Sequence, residues 1–171
     1  AELDQLVEEI LLASRLDAHE TDLGTVEEVD WTGLTAEECA RHGVAFEVDG
    51  CADDADAQPV QVRGVARLLR RVVRNLLENA RRYGQGEVKA TLAQDGGQAV
   101  LKVFDRGPGV PVAQRERIFE PFYRLPGASE SNGGVGLGLA LVKSIAERHG
   151  GTVRCEEREG GGACFVVALP T

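Results

Sequence analysis

Asn75-Leu-Leu-Glu-Asn-Ala-Arg-Arg-Tyr83 closes a longer run in which Val65, Leu68, Leu69, Val72, Val73, Leu76, Leu77 and Ala80 recur at i, i+3, i+4, i+7, i+8, i+11, i+12 and i+15. This spacing predicts one unbroken amphipathic helix over residues 64–83. Asn75, Asn79 and Arg82 are four and three residues apart and stack along one side of it. At about 100° per residue they fall at the edge of the apolar stripe, where a polar row faces a cleft beside the core. A carboxamide oxygen is a neutral hard donor that suits Mg²⁺, and a guanidinium one turn on can neutralise phosphate. A plain amphipathic helix with polar margins explains this segment equally well, so the rest of the chain has to decide.

The chain has 171 residues, enough for one domain with a sizeable core. Its net charge of −9 argues against a nucleic-acid surface, which needs a basic stripe. A single phosphate ligand held by a few cations and backbone N–H groups remains compatible. No apolar run approaches the length of a membrane span, and no signal peptide opens the chain. Cys39, Cys51, Cys155 and Cys164 form no Cys-x-x-Cys pair, which excludes the usual zinc motifs. Cys155 and Cys164 can oppose each other across a terminal hairpin, but buried reduced thiols are the expected state.

Residues 1–17 read as a helix with Leu3, Leu6, Val7, Ile10, Leu11 and Ser14 on a partner-facing stripe. The chain begins without Met inside this pattern, which reads as the tail of a longer helix. A polar joint follows at 18–24. Next come a strand at 26–30, a helix at 33–42 ending before Gly43, a strand at 44–48 and an edge strand at 60–62. The acidic stretch 50–58 lacks EF-hand spacing and reads as a solvated loop. After the long helix, strands are expected at 87–94 and 98–105, joined by Asp95-Gly96-Gly97. Residues 106–135 form a long Gly/Pro-rich connection with one helical stretch near 113–118; loops of this length are usually functional. A helix over 136–149 carries Leu137, Leu141, Ile145 and His149 at i+4 steps, and strands at 152–157 and 163–169 close the chain. The order predicts an α+β fold, with helices on one face of a mixed, mostly antiparallel sheet.

Asp105-Arg-Gly-Pro-Gly109 follows an apolar strand. An Asp at a strand end can accept from a ligand amine, and Gly107 and Gly109 allow the backbone close to a flat ring. Gly133-Gly-Val-Gly-Leu-Gly138 runs into a helix start, where free N–H groups suit a phosphate chain. It is neither a dinucleotide fingerprint nor a P-loop. Between them, Phe119-Glu-Pro-Phe-Tyr-Arg124 has aromatics too costly to expose, which should pin a loop to the body. Arg124 can reach a phosphate or an acidic side chain.

In this order, these segments resemble the catalytic ATP-binding domain of sensor histidine kinases. Asn75–Tyr83 is similar to the family's N box, Asp105–Gly109 to its first glycine box, Phe119–Phe122 to its F box, and Gly134-Val-Gly-Leu-Gly-Leu139 to its second glycine box. The resemblance implies a two-layer α/β sandwich of the Bergerat type, shared with gyrase, over residues 23–171. Residues 1–20 would then be the C-terminal end of a dimerisation hairpin helix. It implies ATP and Mg²⁺ as ligands, with Asp105 receiving the adenine amine, Gly107, Gly109 and Tyr83 near the ring, and Asn79 on the metal with Asn75 beside it. Arg82 and Arg124 would meet phosphate. Gly134, Val135, Gly136, Leu137, Gly138 and Leu139 would form the phosphate turn, and residues 123–135 a lid.

Hydrolysing relatives carry Glu at the place of Asn75; a carboxamide cannot take a proton at neutral pH, so another nucleophile is needed. In the family this is a histidine on a separate dimerisation domain, which passes the phosphoryl group to a response-regulator receiver domain. His19-Glu20 matches only the start of that acceptor pattern, and His42 and His149 end helices, where a cation meets the dipole favourably. The resemblance further implies a homodimeric parent, membrane attachment only through segments absent from this chain, and a cytoplasmic site below an inner-membrane receptor. A degenerate nucleotide-gated module and a gyrase-type ATPase are the alternatives.

Overall fold

The computed structural model describes residues 2–18, 23–48, 59–83, 86–123 and 137–171. The long run folds as expected into one helix, α3 (Ala66–Tyr83), following α1 (Glu2–Asp17) and α2 (Trp31–His42) in the chain. Leu68, Leu69, Val72, Val73, Leu76, Leu77 and Ala80 are all buried, so the predicted stripe is the face α3 gives to the core. Beneath it lies a five-stranded sheet. Its strands are β2 (Ala45–Val48), β4 (Lys89–Asp95), β5 (Gln98–Phe104), β6 (Thr152–Glu157) and β7 (Ala163–Pro170), in the order β2-β4-β5-β7-β6. Only the β2–β4 pair is parallel. The β4–β5 turn has Gly96 at φ 57° and Gly97 at φ 82°, the left-handed pair that a tight hairpin of this hand requires. The remaining strands, β1 (Glu27–Asp30) and β3 (Gln61–Gly64), pair with each other in a separate antiparallel ribbon.

Several boundaries move for identifiable reasons. α2 starts at Trp31 rather than 33, because Asp30 caps it: its Oδ1 accepts the Gly33 N–H at 2.9 Å. It ends as expected at Gly43, at φ 65°. Arg70 of α3 reaches across to Glu38 and Glu37, each at 2.8 Å, and Arg81 donates to the His42 carbonyl at 2.8 Å, fastening α2 onto α3. The single helical stretch expected near 113–118 is two 3₁₀ turns, Val112–Gln114 and Arg117–Phe119. Pro111 fixes the first turn's start, and so short a segment cannot nucleate an α-helix.

Cys155 and Cys164 do not face each other. Cys155 pairs with Phe165, and Cys164 with Glu156, so the one-residue offset turns the two thiols to opposite faces. Burial pushes Cys39 and Cys164 up to about 11 and Cys155 to about 12, which keeps all three protonated and inert. Cys51, the loop at 50–58 and His19-Glu20 lie outside the described residues. On α1, Leu12, Ala13 and Leu16 pack on the body, while Leu3, Val7, Ile10 and Leu11 are exposed along the other side.

α4 (Gly138–Arg148) buries Ala140, Leu141, Val142, Ile145 and Ala146. The residue after it departs from expectation. His149 is not a cation at a helix end. Its Nδ1 donates to the Ile145 carbonyl at 2.7 Å, and its Nε2 accepts the Val65 N–H at 3.1 Å, just ahead of α3. Burial holds its pKa below the usual 6.5. Gly64 lies against the ring, and a Cβ there would sit 2.3 Å from His149 Cδ2.

An acceptor Nε2 has to be neutral. A histidine whose pKa is depressed by folding contributes its full stabilisation above the unfolded value of 6.5 and loses it as pH falls from there toward the folded pKa. Thermal melting should therefore drop between pH 7.5 and pH 5.5. His149→Gln should melt lower at pH 7.5 and show a smaller drop; an unchanged pH dependence in that variant would contradict the role of His149.

Candidate active site

Along α3 the polar row climbs out of the core. Asn75 is buried at 5% exposure, Asn79 is half-buried and Arg82 is exposed. Asn75 is thus not on the lip of a cleft. Its Nδ2 donates to the Gly138 carbonyl at 3.1 Å, which ties the N-box segment to the start of α4. A carbonyl can only accept, so this contact fixes which end of the amide faces it. The Asn79 side chain makes no hydrogen bond among the described residues, which leaves its carboxamide oxygen available to a ligand. That oxygen fits Mg²⁺, a hard cation that takes few protein ligands and fills its shell with phosphate and water. Among the described residues there is no cluster of three or more His, Cys, Asp or Glu able to hold a metal alone. Tyr83 ends α3, but its side chain lies outside the described part, as do Arg124, Gly134, Val135 and Gly136. Of the second glycine segment, Leu137 is buried, and Gly138 and Leu139 are half-buried at the first turn of α4.

Asp105 leaves β5 with its side chain buried at 4% exposure. Oδ1 accepts from Gly107 N–H at 2.9 Å and from Ala163 N–H at 3.2 Å. Among the described residues no bond falls on Oδ2, so the carboxylate is oriented by one oxygen and can receive a donor on the other. Gly109 sits at φ +76°, and a Cβ there would lie 3.2 Å from the Gly162 carbonyl. Gly162, at φ +104°, packs closer still, with a hypothetical Cβ 2.1 Å from the Asp105 carbonyl. Only glycine fits both the torsion and the space. The β6–β7 turn is therefore a wall of the Asp105 site. The sequence signal was Gly160-Gly161-Gly162, legible as a turn but not as a partner of Asp105, which lies more than fifty residues upstream.

The aromatic segment divides. Phe119 is buried and meets Phe165 of β7 edge-on, with centroids 6.3 Å apart. Tyr123 packs against the core, with Arg117 5.0 Å over its ring. Phe122 does not pin anything: it is 62% exposed, at φ 66°, where the left-handed backbone turns its side chain to solvent. The contacts link the segments into one series. Asn75 holds Gly138, α4 packs on the Arg117–Phe119 turn, Phe119 meets β7, and Ala163 of β7 holds Asp105.

A sandwich of this topology, with a buried Asp at a strand end and a carboxamide row on the long helix beside the head of α4, suits a nucleotide-binding domain. Residues 64–171 match the family described as histidine kinase-, DNA gyrase B-, and HSP90-like ATPase. The chain belongs to that family, and the proteins it resembles over most of its length are sensor proteins and histidine kinases. It is 38% identical over 181 aligned positions to the sensor protein RstB of Escherichia coli, covering 99% of this chain and 39% of RstB. It is 39% identical over 171 positions to the sensor protein CutS of Streptomyces coelicolor, covering 96% of this chain and 40% of CutS. The chain thus spans about two fifths of the length of the curated relatives it matches. Among solved structures, the mycobacterial sensor histidine kinase MprB matches with TM-score 0.67 at 31% identity, over 85% of this chain and 97% of that one. Full-length ShkA in complex with AMPPNP matches with TM-score 0.76 at 30% identity, over 98% of this chain and 35% of that one.

Asn75→Asp should test the Asn75 contact. It sets a carboxylate against a carbonyl, leaving two acceptors facing each other. Urea unfolding at pH 8 should show a loss of about 1–3 kcal/mol. The loss should shrink at pH 5, where a protonated Asp can donate. A loss independent of pH would argue that the hydrogen bond is not what Asn75 supplies.

Proposed function

We propose that this domain binds ATP with Mg²⁺ and passes the γ-phosphoryl group to a histidine on a dimerisation hairpin of the same protein. A receiver-domain aspartate of a response regulator then takes it. The observation that carries this reading is Asn75. Where a hydrolysing relative needs a general base, this chain has a buried carboxamide whose N–H is committed to Gly138. Water has no activating group there, and the phosphoryl group must go to a nucleophile brought from outside.

In this reading Asp105 Oδ2 accepts the adenine amine, with Gly107, Gly109 and Tyr83 beside the ring. The carboxamide oxygen of Asn79 holds Mg²⁺. The metal, when bound, neutralises charge on the β- and γ-phosphates. Arg82 would supply charge to the phosphate chain at the head of α4, aided by the N–H groups there, and the same role falls to Arg124, Gly134, Val135 and Gly136, outside the described residues, with Leu137, Gly138 and Leu139. An imidazole nitrogen attacks phosphorus in line. An N–P bond forms as the bond to the bridging oxygen of ADP breaks. α1 is the end of the second hairpin helix, and its exposed Leu3, Val7, Ile10 and Leu11 face the other helices of a homodimeric bundle. No described helix is long and apolar enough to cross a membrane. Attachment to an inner membrane, with this domain on the cytoplasmic side, belongs to other segments of the parent.

The test is to mix the domain with an isolated histidine hairpin and γ-labelled ATP. Label on the histidine is the expected result. Binding without transfer would instead favour a nucleotide-gated module, and steady phosphate release a gyrase-type ATPase. Asn79→Ala should abolish the gain in ATP affinity that Mg²⁺ gives over EDTA, read by calorimetry. A titration curve identical to that of the unaltered protein would remove Asn79 from the metal.

A further inference from the structure

Asp105 is held by its backbone as well as by its side chain. The Arg158 guanidinium donates from Nη1 to the Asp105 carbonyl at 3.1 Å and lies 5.3 Å over the ring of Phe104, the preceding residue. Arg158 is itself anchored at the head of the β6–β7 turn. Its N–H donates to Gly162 O at 3.1 Å, and its carbonyl accepts from Gly161 N–H at 3.0 Å. Arg106 returns the contact, donating from Nη1 to Glu159 O at 3.2 Å and Gly161 O at 3.3 Å. Two arginines, one from each segment, thus clasp the other segment's carbonyls. Asp105 N–H donates to Ala163 O at 3.0 Å, just past the same turn.

We infer that Arg158 is a positioning residue for purine recognition: by fixing the Asp105 peptide and the ring of Phe104, it sets the direction of the Asp105 carboxylate and so the preference for a 6-aminopurine over a 6-oxopurine. This rests on the assignment of Asp105 to the adenine amine. The physical reason is geometric. Oδ1 is tied to Ala163 N–H in the β7 segment, so the aim of Oδ2 depends on how far Asp105 Cα sits from that strand. Arg158 braces that gap from the β6–β7 turn, beside the Asp105 N–H bond to Ala163. A 6-amino group donates to Oδ2, whereas a 6-oxo group offers a second acceptor and gains nothing from a well-aimed carboxylate.

The experiment compares ATP and ITP binding, with Mg²⁺, by calorimetry or competition. In the unaltered domain ATP should bind more tightly than ITP, and Asp105→Asn should collapse that ratio. Arg158→Ala should weaken ATP and ADP alike by about three- to tenfold, the order of one hydrogen bond, with ITP changing less than twofold. Arg158→Lys should recover most of the ATP/ITP ratio, since one ammonium can donate to the carbonyl and sit over Phe104. Arg158→Met keeps the aliphatic stem without any donor. It should narrow the ratio as Arg158→Ala does, so the test stands if the alanine variant unfolds. Equal losses for ATP and ITP, or an ATP/ITP ratio unchanged in Arg158→Ala and Arg158→Met, would overturn the role of Arg158. If the unaltered domain shows no preference for ATP, or Asp105→Asn leaves that preference intact, the adenine assignment itself fails. A preference lost in Asp105→Asn but kept in Arg158→Met removes Arg158 alone.

Discussion

A single helix that must bury one face completely leaves little choice about where its polar residues go. The unbroken apolar register of α3 consumes Leu68 through Ala80 and pushes Asn75, Asn79 and Arg82 to its border, at three depths. Everything chemical in this domain is arranged relative to that border. The deepest residue, Asn75, is buried and satisfies its amide on a carbonyl of α4, so burial itself turns a candidate ligand into a structural tie. The next, Asn79, keeps its oxygen free among the described residues. The outermost is a cation. The row thus runs from a bonded amide through a half-buried one to an exposed cation, an order set by exposure.

Charge follows a similar partition. The chain is acidic overall, at −9, yet α3 alone carries Arg67, Arg70, Arg71, Arg74, Arg81 and Arg82. Three of these six make hydrogen bonds within the protein. Arg67 donates to the Leu23 carbonyl, Arg70 to two glutamates and Arg81 to the end of α2. Burial holds Arg71 below its ordinary value, with Arg74 adding to the effect and Glu9 and Glu8 of α1 opposing it. Burial likewise raises Glu9, and Arg71, Arg74 and Arg82 pull against that rise. The acidic helix and the basic one face each other across this gap. The basic content of α3 is thus largely matched within the protein, and the net charge conceals this local pairing.

Much of the fold was legible in the sequence, because periodicity reports burial directly. The stripe of α3 and the paired glycines at 96 and 97 each encode a local rule, and the helix and the hairpin formed where their patterns lay. What resisted was register and depth. Cys155 and Cys164 are separated by a plausible hairpin distance, but a one-residue slip, invisible in the string, sends them to opposite faces. His149 sits at a helix end, where a charge is favoured, yet Gly64 and the Val65 N–H enclose it and make it an acceptor. Phe122 looks like Phe119, but its backbone torsion turns it outward. For the candidate site, the side chains that the structure ties together, Asn75 and Asp105, stood out in the sequence as motifs. Those acting through the backbone, Gly162 and Ala163, carry no side-chain chemistry to advertise it.

Two of these contacts lie at opposite ends of the same helix pair. Val65 and His149 join the start of α3 to the finish of α4, while Asn75 and Gly138 join the middle of α3 to the start of α4. The helices are therefore antiparallel and riveted twice, about 15 Å apart at about 1.5 Å of rise per residue. A rod held at two points can neither slide along its neighbour nor swivel about one rivet without breaking the other. The two contacts make the α3–α4 pair a fixed frame on which the side chains of both helices are displayed.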